Sequence, residues 1–483
     1  KNIEKRAKLH LRDLVEYQDG QVVSKTLVQN EAVSMTLFAF DRGEEISTHA
    51  SGGDAMVTVL DGTGRFTVGD QVFSLAAGET LIMPAGIPHA VFGEEQFKNV
   101  VYINLETNLT IASYFNDNIA PERLLRYLEA STGERIIPEE TLIIFDEIQS
   151  SERALTALKY FCEETPEYHI AAAGSLLGVA INRQHYSFPV GKVETLTLYP
   201  LDFEEYLGAR SQKLLSEEIR RAYEKMEPLP DALHQKAIEL YREYLLIGGM
   251  PACINAFLKS GSFLDVPLVQ NEILDNYIAD MAKYASNTDS VKIRACYNSI
   301  PAQLAKDNKK FQYKVVQKGG SAALFGASIE WLNLAGVVLK CQRINQAIEP
   351  IAVYTDLSAF KLYMGDVGLL TMKSGLSQQT VLSGEGNTFM GAVTENYVAQ
   401  QLAAKGYDLY YWESSSTAEL DFVLQKGNQI VGVEVKKGEH VRSRSLSVFV
   451  DSYKPAYSVR LSLKNFGEKD GLKSVPLYAA FCV

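Results

Sequence analysis

The sequence predicts a multidomain protein: an all-β barrel, an incomplete α/β core, a helical and winged-helix-like region, and a closing α/β domain. Three observations predict it. The chain has 483 residues, which at roughly 100–200 residues per domain calls for about three domains. Residues 1–98 hold short β-type segments separated by turn residues. Beyond them, near-continuous apolar runs alternate with helical stretches, as in a parallel sheet covered on both faces. Apolar residues make up 46% and charged residues 22% of the chain, ordinary for a folded protein, so wholesale disorder is excluded. A net charge of -12 excludes a uniformly basic nucleic-acid coat and leaves room for a local basic patch.

Each element follows from local pattern. In residues 1–98, VVSKTLVQ, VSMTLFAF, AMVTVLDG, GRFTVG, QVFSL, ETLIMP and HAVFG recur at roughly 8–12-residue spacing, the pattern of a small antiparallel barrel. In 99–205 the apolar strands NVVYINLE, TLIIFDEI, YHIAAAGS and VETLTLYP alternate with PERLLRYLEA and ERALTALKYFCEE. Residues 206–375 are mainly amphipathic helices, with helix–turn–helix–hairpin patterning up to Lys340. In 376–483 the helix NTFMGAVTENYVAQQLAAKG precedes strands YDLYYWES, AELDFVLQ and QIVGVEVKK. No apolar run reaches the ~20 residues that span a bilayer. The opening KNIEKRAKLHLRDL has no signal-peptide core. Five scattered cysteines without a CxxC pair argue against a disulfide framework and fit a cytoplasmic setting.

The barrel carries two histidines in motif positions. Gly43 precedes His49 by six residues, and the string GETLIMPAGIPH runs from Gly78 to His89. These motifs resemble the cupin family, in which each ends a strand with a metal-binding histidine. The resemblance implies a divalent transition metal held by His49 and His89, with Asp54 in the approximate place of the carboxylate and Ser51 in place of a further histidine. It equally allows a metal-free cavity for a small ligand.

Leu142-Ile-Ile-Phe-Asp146-Glu147 is an apolar strand that delivers two acids at its tip. An Asp there can hold Mg²⁺ and a Glu can orient a water for attack on a γ-phosphate. A second apolar strand ends in AAAGS, placing Ser175 as a polar sensor at the carboxyl ends of the strands. A buried strand ending in a solvated acidic turn would look the same. With the ordered segments YLLIGGMP (244–251), KIRACYNSIPAQLAKDNKKFQY (292–313), EWLNLAGVV and AFKLYMGDVGLL (359–370), residues 99–483 resemble a bacterial and archaeal AAA-type ATPase family with a nuclease-like C-terminal domain of unknown function. That family binds nucleotide through a Walker A loop, GxxxxGK[ST], whose backbone N–H groups cradle phosphate. The chain has no such string. Gly174–Gly178 lacks the lysine, and Gly319–Gly326 lacks the Gly-Lys pair. ATP binding of ordinary strength is therefore not expected. The family's first strand, which sits inside the sheet, is expected to be missing. Phe97–Leu105 reads as either a last barrel strand or the next strand of the α/β core.

Between Lys292 and Lys318, seven basic residues (Lys292, Arg294, Lys306, Lys309, Lys310, Lys314, Lys318) face one acid, Asp307. Such a cluster suits nucleic-acid phosphates, or forms a solvated helix face. Downstream, Glu395 lies on a helix, Asp421 on a strand, and Glu434 and Lys436 alternate on the next strand, thirteen residues after Asp421. Converging carboxylates can bind Mg²⁺, which polarises a phosphate, while a lysine positions the attacking water. The arrangement resembles the PD-(D/E)xK nucleases, with Leu420 where the motif has Pro. It implies Glu395, Asp421, Glu434 and Lys436 as catalytic residues, with Lys437, Arg442, Arg444 and Lys454 near phosphate.

Two functions follow from the sequence, apart from a non-functional gene fusion. One is a nucleic-acid-acting, AAA-like protein with a disabled motor and Mg²⁺-dependent phosphodiester hydrolysis. The other is a non-enzymatic sensor that binds a small ligand in the barrel and a partner, or further copies of itself, elsewhere.

Overall fold

The computed structural model describes residues 11–15, 18, 21–29, 34–40, 44–51, 53–93, 97, 99–175, 189, 191–283, 285–384, 387–414, 418–438 and 444–483. Gly43, Leu176 to Gly178 and Arg442, singled out above, lie outside them. The chain divides into two compact units. The first comprises residues 1–175 and 185–194, the second 176–184 and 195–483.

The first unit opens with eight short strands: β1 (Val22–Gln29), β2 (Ser34–Phe40), β3 (Glu45–His49), β4 (Ala55–Thr58), β5 (Thr63–Val68), β6 (Gln71–Ala76), β7 (Thr80–Met83) and β8 (His89–Gly93). They pair antiparallel as β1-β2, β3-β8-β5-β6 and β4-β7. Pairing strand 3 with 8 and 4 with 7 returns the chain on itself, as a jelly-roll barrel requires. The sequence reading missed β3 because its EISTH pattern is polar and mostly exposed.

The unit then turns to α/β. Strands β9 (Asn99–Asn104), β10 (Thr141–Asp146) and β11 (His169–Ala172) form a parallel sheet of order β11-β10-β9. The ambiguous Phe97–Leu105 stretch is resolved: β9 pairs residue for residue with β10, from Asn99↔Thr141 to Asn104↔Asp146. Val101, Ile103, Ile143 and Phe145 are buried on one face. Helix Glu152–Glu164 packs there through Phe161, whose ring lies 6.4 Å from that of Phe145. On the other face Val100 and Tyr102 remain 48% and 59% exposed, so β9 is not covered on both sides. The expected fourth strand, VETLTLYP, is a correction. Its described residues pair with no strand, and Leu196 and Leu198 are 87% and 99% exposed. A parallel strand needs a hydrogen-bonded neighbour to hold it.

The second unit is a helical layer joined to a mixed sheet by one continuous core that runs from Phe203 to Val483. The sheet comprises β12 (Val338–Ile344), β13 (Thr355–Met364), β14 (Tyr410–Glu413), β15 (Glu419–Lys426), β16 (Gln429–Val435), β17 (Ser458–Ser462), β18 (Gly467–Lys469) and β19 (Leu472–Pro476). Its order is β13-β12-β14-β15-β16-β17-β19-β18. The hairpin read as a wing is therefore part of this sheet: β12 pairs parallel with β14 at Gln342↔Tyr410. Hydropathy marks both strands of a hairpin but not which third strand joins them.

Two of the ordered motifs meet in a buried knot. Asp366 caps the Val367–Ser374 helix through Leu369 N (2.9 Å) and also accepts from Gly249 N (2.6 Å). Gly248 sits at φ +76, and a Cβ there would lie 2.2 Å from Asp366 Oδ1. A Cβ on Gly368 would lie 2.5 Å from Gly248 N. GGMP and GDVG are thus mutually required shapes. Gly248→Ala should cost at least about 3 kcal/mol in urea unfolding, from the clash and the left-handed backbone together. Gly261→Ala, also at positive φ but facing open space, should cost only about 1 kcal/mol. Equal costs would remove the knot from the account.

Candidate functional site

Three places carry candidate chemistry. In the barrel, β3 and β8 pair at His49↔His89, so period and register bring the two motif histidines together, with ring centroids 4.5 Å apart. Each Nδ1 lies 3.0 Å from the carbonyl two residues earlier, Ser47 O for His49 and Ile87 O for His89. A carbonyl only accepts, so Nδ1 carries the proton and Nε2 of the neutral ring keeps its lone pair. Metal-bound histidines are commonly oriented this way. Asp54 acts differently: its Oδ1 accepts from Ala85 N at 2.9 Å and so ties the loops of the two motifs together. Among the described residues no group of three His, Cys, Asp or Glu side chains is placed to hold a metal. The barrel offers two imidazoles.

In the parallel sheet, Asp146 ends β10 and Ser175 follows β11, so both lie at the carboxyl ends of neighbouring strands. Asp146 accepts from Tyr102 Oη, from Asn104 Nδ2 at 3.1 Å and from Glu147 N at 3.0 Å. Its carboxylate is therefore well supplied with donors from its own sheet. Glu147 takes a left-handed conformation (φ 51) and accepts from Gln149 Nε2. Ser175 is exposed.

The densest electrostatics lie in the second unit. Glu395 is on the Met390–Ala404 helix, 2% exposed. Lys361, on β13 and 0% exposed, reaches Glu395 Oε1 at 2.9 Å and Glu419 Oε1 at 2.5 Å. Tyr363 Oη donates to Glu395 Oε1 at 2.5 Å, and Lys309 Nζ donates to Glu395 Oε2. Both Glu395 oxygens are thus engaged by groups from outside the proposed nuclease motif. Burial opposes ionisation of Glu395, but Lys361 and Lys309 win and hold its carboxyl well below the usual range. Lys361 stays charged because Glu395, Glu419 and Asp421 outweigh its own burial.

Asp421 shares this environment. Its Oδ2 accepts from Val435 N at 2.8 Å. Burial and then the charge of Glu395 push it up to about 6, against the pull of Lys361, Lys309 and Lys436. Glu434 has other partners. Gly432 faces Leu420 and Phe449, while Val431, Val433 and Val435 face the main core. Period two puts Glu434 on the Gly432 face. There it accepts from Arg460 Nε at 2.9 Å. Lys436 Nζ is 3.2 Å from Glu434 Oε1, at an angle that makes no hydrogen bond. The sequence motif therefore makes two sets of contacts, Glu395 and Asp421 among lysines and Glu434 with Arg460, and Lys436 acts on both Glu434 and Asp421. Sequence reasoning missed Lys361, Tyr363, Glu419 and Arg460. A lysine inside the apolar run AFKLYM was the one available signal.

The basic segment is largely committed internally. Lys309 and Lys310 pair with Glu395 and Glu413, the latter at 2.5 Å. Lys306 donates to Gln312 at 3.0 Å, and Lys292 lies 3.8 Å from Asp289. Arg294, Lys314 and Lys318 are exposed.

The two acids should respond to neutralisation with opposite sign. The lowered pKa of Glu395 stabilises the fold above the ordinary glutamate range and is lost as pH falls through its native value. Glu395→Gln should therefore lower stability at pH 7 by about 3 kcal/mol, leaving buried lysine charge uncompensated. The raised pKa of Asp421, about 6 against 3.8, works the other way. Its favourable contribution is full below 3.8 and lost as pH rises through about 6. Asp421→Asn should raise stability at pH 8 by about 1–2 kcal/mol and change little near pH 4. Thermal melts across pH 4–8 read both signs.

Comparison with known proteins assigns the parts. A cupin domain matches residues 36–104 and an AAA domain residues 86–207, overlapping across β9. Two domains of unknown function, DUF8612 and DUF4143, match 238–380 and 390–480. Among solved structures, a conserved protein of unknown function from Streptococcus pyogenes is 43% identical, covering 20% of this chain and 83% of that one, with a TM-score of 0.19. A cupin superfamily protein from Desulfitobacterium hafniense is 34% identical, covering 20% and 86%, with a TM-score of 0.19. Uncharacterized proteins of Mycobacterium bovis and Mycobacterium tuberculosis are each 37% identical over 79 residues, 16% of this chain. The chain spans only 18% of the length of these curated relatives. No described helix is long and apolar enough to cross a membrane. The chain thus carries an N-terminal cupin domain, then an AAA domain, and a C-terminal DUF4143 domain.

Proposed function

We propose that this protein works by binding rather than by turnover: its cupin barrel takes a divalent transition metal, or a small ligand through that metal, at His49 and His89. The observation that carries this is the matched anchoring of the two rings. Each imidazole fixes its Nδ1 proton on a backbone carbonyl 3.0 Å away, leaving two Nε2 lone pairs on paired strands. Two imidazoles suit zinc, nickel or copper better than magnesium. The remaining positions would fall to water or ligand, which suits a sensor. The AAA part lacks a GxxxxGK[ST] string, and the Asp146 carboxylate is supplied by Tyr102 and Asn104, so ATP turnover is not part of this reading. Nor is oligomerisation.

A second reading keeps the nuclease idea. A specific observation favours it: Asp421 is pushed up to about 6, with Glu395 and Lys436 acting on it, and perturbed acids cluster at functional sites. Mg²⁺ would then act at Asp421, with Glu434 and Lys436 alongside and nucleic acid reaching it past Arg294, Lys314 and Lys318. Against it stands Glu395, whose oxygens are engaged by Lys361 and Lys309.

Zinc titration of the full chain should give one site, weakened at least about tenfold by His49→Ala and by His89→Ala, with Mg²⁺ unable to compete. No Mg²⁺-dependent nicking of plasmid DNA is expected. Nicking that disappears in Asp421→Ala would overturn the first reading in favour of the second.

A further inference from the structure

The barrel strands pair in a nested series: β5 with β6, β4 with β7 and β3 with β8. The next member of that series is β2 with β9. Instead β9 pairs with β10, and among the described residues β2 pairs only with β1. An eight-stranded jelly roll has two facing sheets. One is present as β3-β8-β5-β6, with β8 between β3 and β5. The other would run β2-β9-β4-β7 by the same nesting, yet β1-β2 and β4-β7 are separate ladders. A strand's place is thus left open between β2 and β4. We propose that β9 is a shared strand, which alternates between the edge of β10 and this place in the barrel.

Register, burial and family assignment each support the exchange. In β3-β8 the pairs Glu45↔Phe92 and Ile46↔Val91 both add to 137. Such sums hold across the neighbouring step, where His49↔His89 and Ala55↔Met83 both add to 138. Residues 41–44 join β2 to β3 and 94–98 join β8 to β9, so the two connections match to within one residue. Carried on to β2, a sum of 137 sets Ser34 against Ile103, Met35 against Tyr102, Leu37 against Val100 and Phe38 against Asn99, all within β9. Burial agrees with this register. Leu37 and Ala39 are buried, so the odd-numbered face of β2 points inward. Antiparallel partners share a face, which turns Val100 and Tyr102 into the barrel. These are the β9 side chains that the α/β sheet leaves exposed, and Met35, opposite Tyr102, is itself 47% exposed. The sheet buries Val101 and Ile103 instead. A strand apolar on both faces can serve either position. Finally, the cupin and AAA matches both include β9.

The exchange would connect the barrel to the acidic strand tip. In the sheet, Tyr102 and Asn104 supply donors to Asp146. With β9 in the barrel, that carboxylate loses both and keeps Glu147 N. Any ligand that binds one arrangement better shifts the balance by its difference in affinity for the two.

Disulfide trapping in the full chain tests the exchange. Tyr102→Cys/Ile144→Cys joins register partners of the sheet, and Met35→Cys/Tyr102→Cys joins those of the barrel; directly paired strands fall within disulfide reach. Each chain is oxidised with oxidised glutathione, and the cross-linked peptide is identified by mass spectrometry. Both pairs should close, the barrel pair about 10–1000-fold more slowly, as for a minor state. Leu37→Cys/Val100→Cys should close like the barrel pair, and Phe38→Cys/Tyr102→Cys, on opposite faces, should not. In the barrel-trapped chain the Thr141–Asp146 amides should exchange with deuterium at least about tenfold faster than in the sheet-trapped chain. Closure of the sheet pair without either barrel pair overturns the proposal. So does closure of the opposite-face pair at the same rate, which would report general unfolding. Barrel trapping that leaves Thr141–Asp146 protected also overturns it, because β9 would then hold both neighbours at once.

Discussion

Lys361 brings a full positive charge to a place with no solvent exposure, on a strand whose neighbours Phe360, Leu362 and Tyr363 are core residues. Removing an ammonium from water costs several kcal/mol even after relaxation. The chain offsets this by placing Glu395 and Glu419 within ion-pair reach of it and by setting it over the Tyr411 ring, 5.0 Å from the centroid. Those acids come from a helix and from β15, while Lys361 comes from β13. One buried ion therefore stitches the hairpin β12–β13 to the rest of the sheet. Separating the helical region from the C-terminal domain would strand either a lysine or a glutamate in an apolar core, which explains why the two share one core.

The Asp366 knot works by similar logic with backbone donors. Asp366 is buried and desolvation raises its pKa, yet Gly249, Leu369, Gln400 and Gly368 all donate toward it. Gln400 and Asn396 of the Met390–Ala404 helix bond to the neighbouring backbone at Val367 N and Met364 N. Phe203 N is held by Gln401 Oε1 at 2.9 Å. The polar residues of that helix are thus buried connectors. This explains why it is interior on nearly every side, and why GGMP and GDVG occur together in one chain.

Much of this was legible in the sequence, for physical reasons. Alternation and turn residues give a barrel, and apolar runs ending in Asp-Glu give a parallel sheet. His49 and His89 were recognisable because motif spacing encodes strand register. What stayed hidden was what depends on long-range partners. Lys309 and Lys310 look like a nucleic-acid patch until Glu395 and Glu413, about 90 and 100 residues away, are brought beside them. A period-two argument put Glu434 and Lys436 together correctly, but could not foresee that Val435 N would be held by the Asp421 side chain, or that Arg460 would occupy Glu434. VETLTLYP has every local mark of a strand; what it lacks among the described residues is a neighbour, and no local pattern reports that.

Charge counting constrains any metal chemistry at Glu395. The carboxylates there are Glu395, Glu419 and Asp421, and the ammonium groups acting on them are Lys361, Lys309 and Lys436. Three charges face three, so the cluster is balanced before any ion arrives. A divalent cation added to a balanced, largely buried set would meet repulsion from Lys361 and Lys309 at short range, a cost that grows as the surroundings dry. Of these two lysines, Lys361 cannot leave without being dragged through the core. Lys309 is 21% exposed and sits in a turn at φ 47, so it alone has a short path to solvent. A divalent cation could therefore enter this cluster only if Lys309 left it, and the balanced charge count weighs against metal chemistry here.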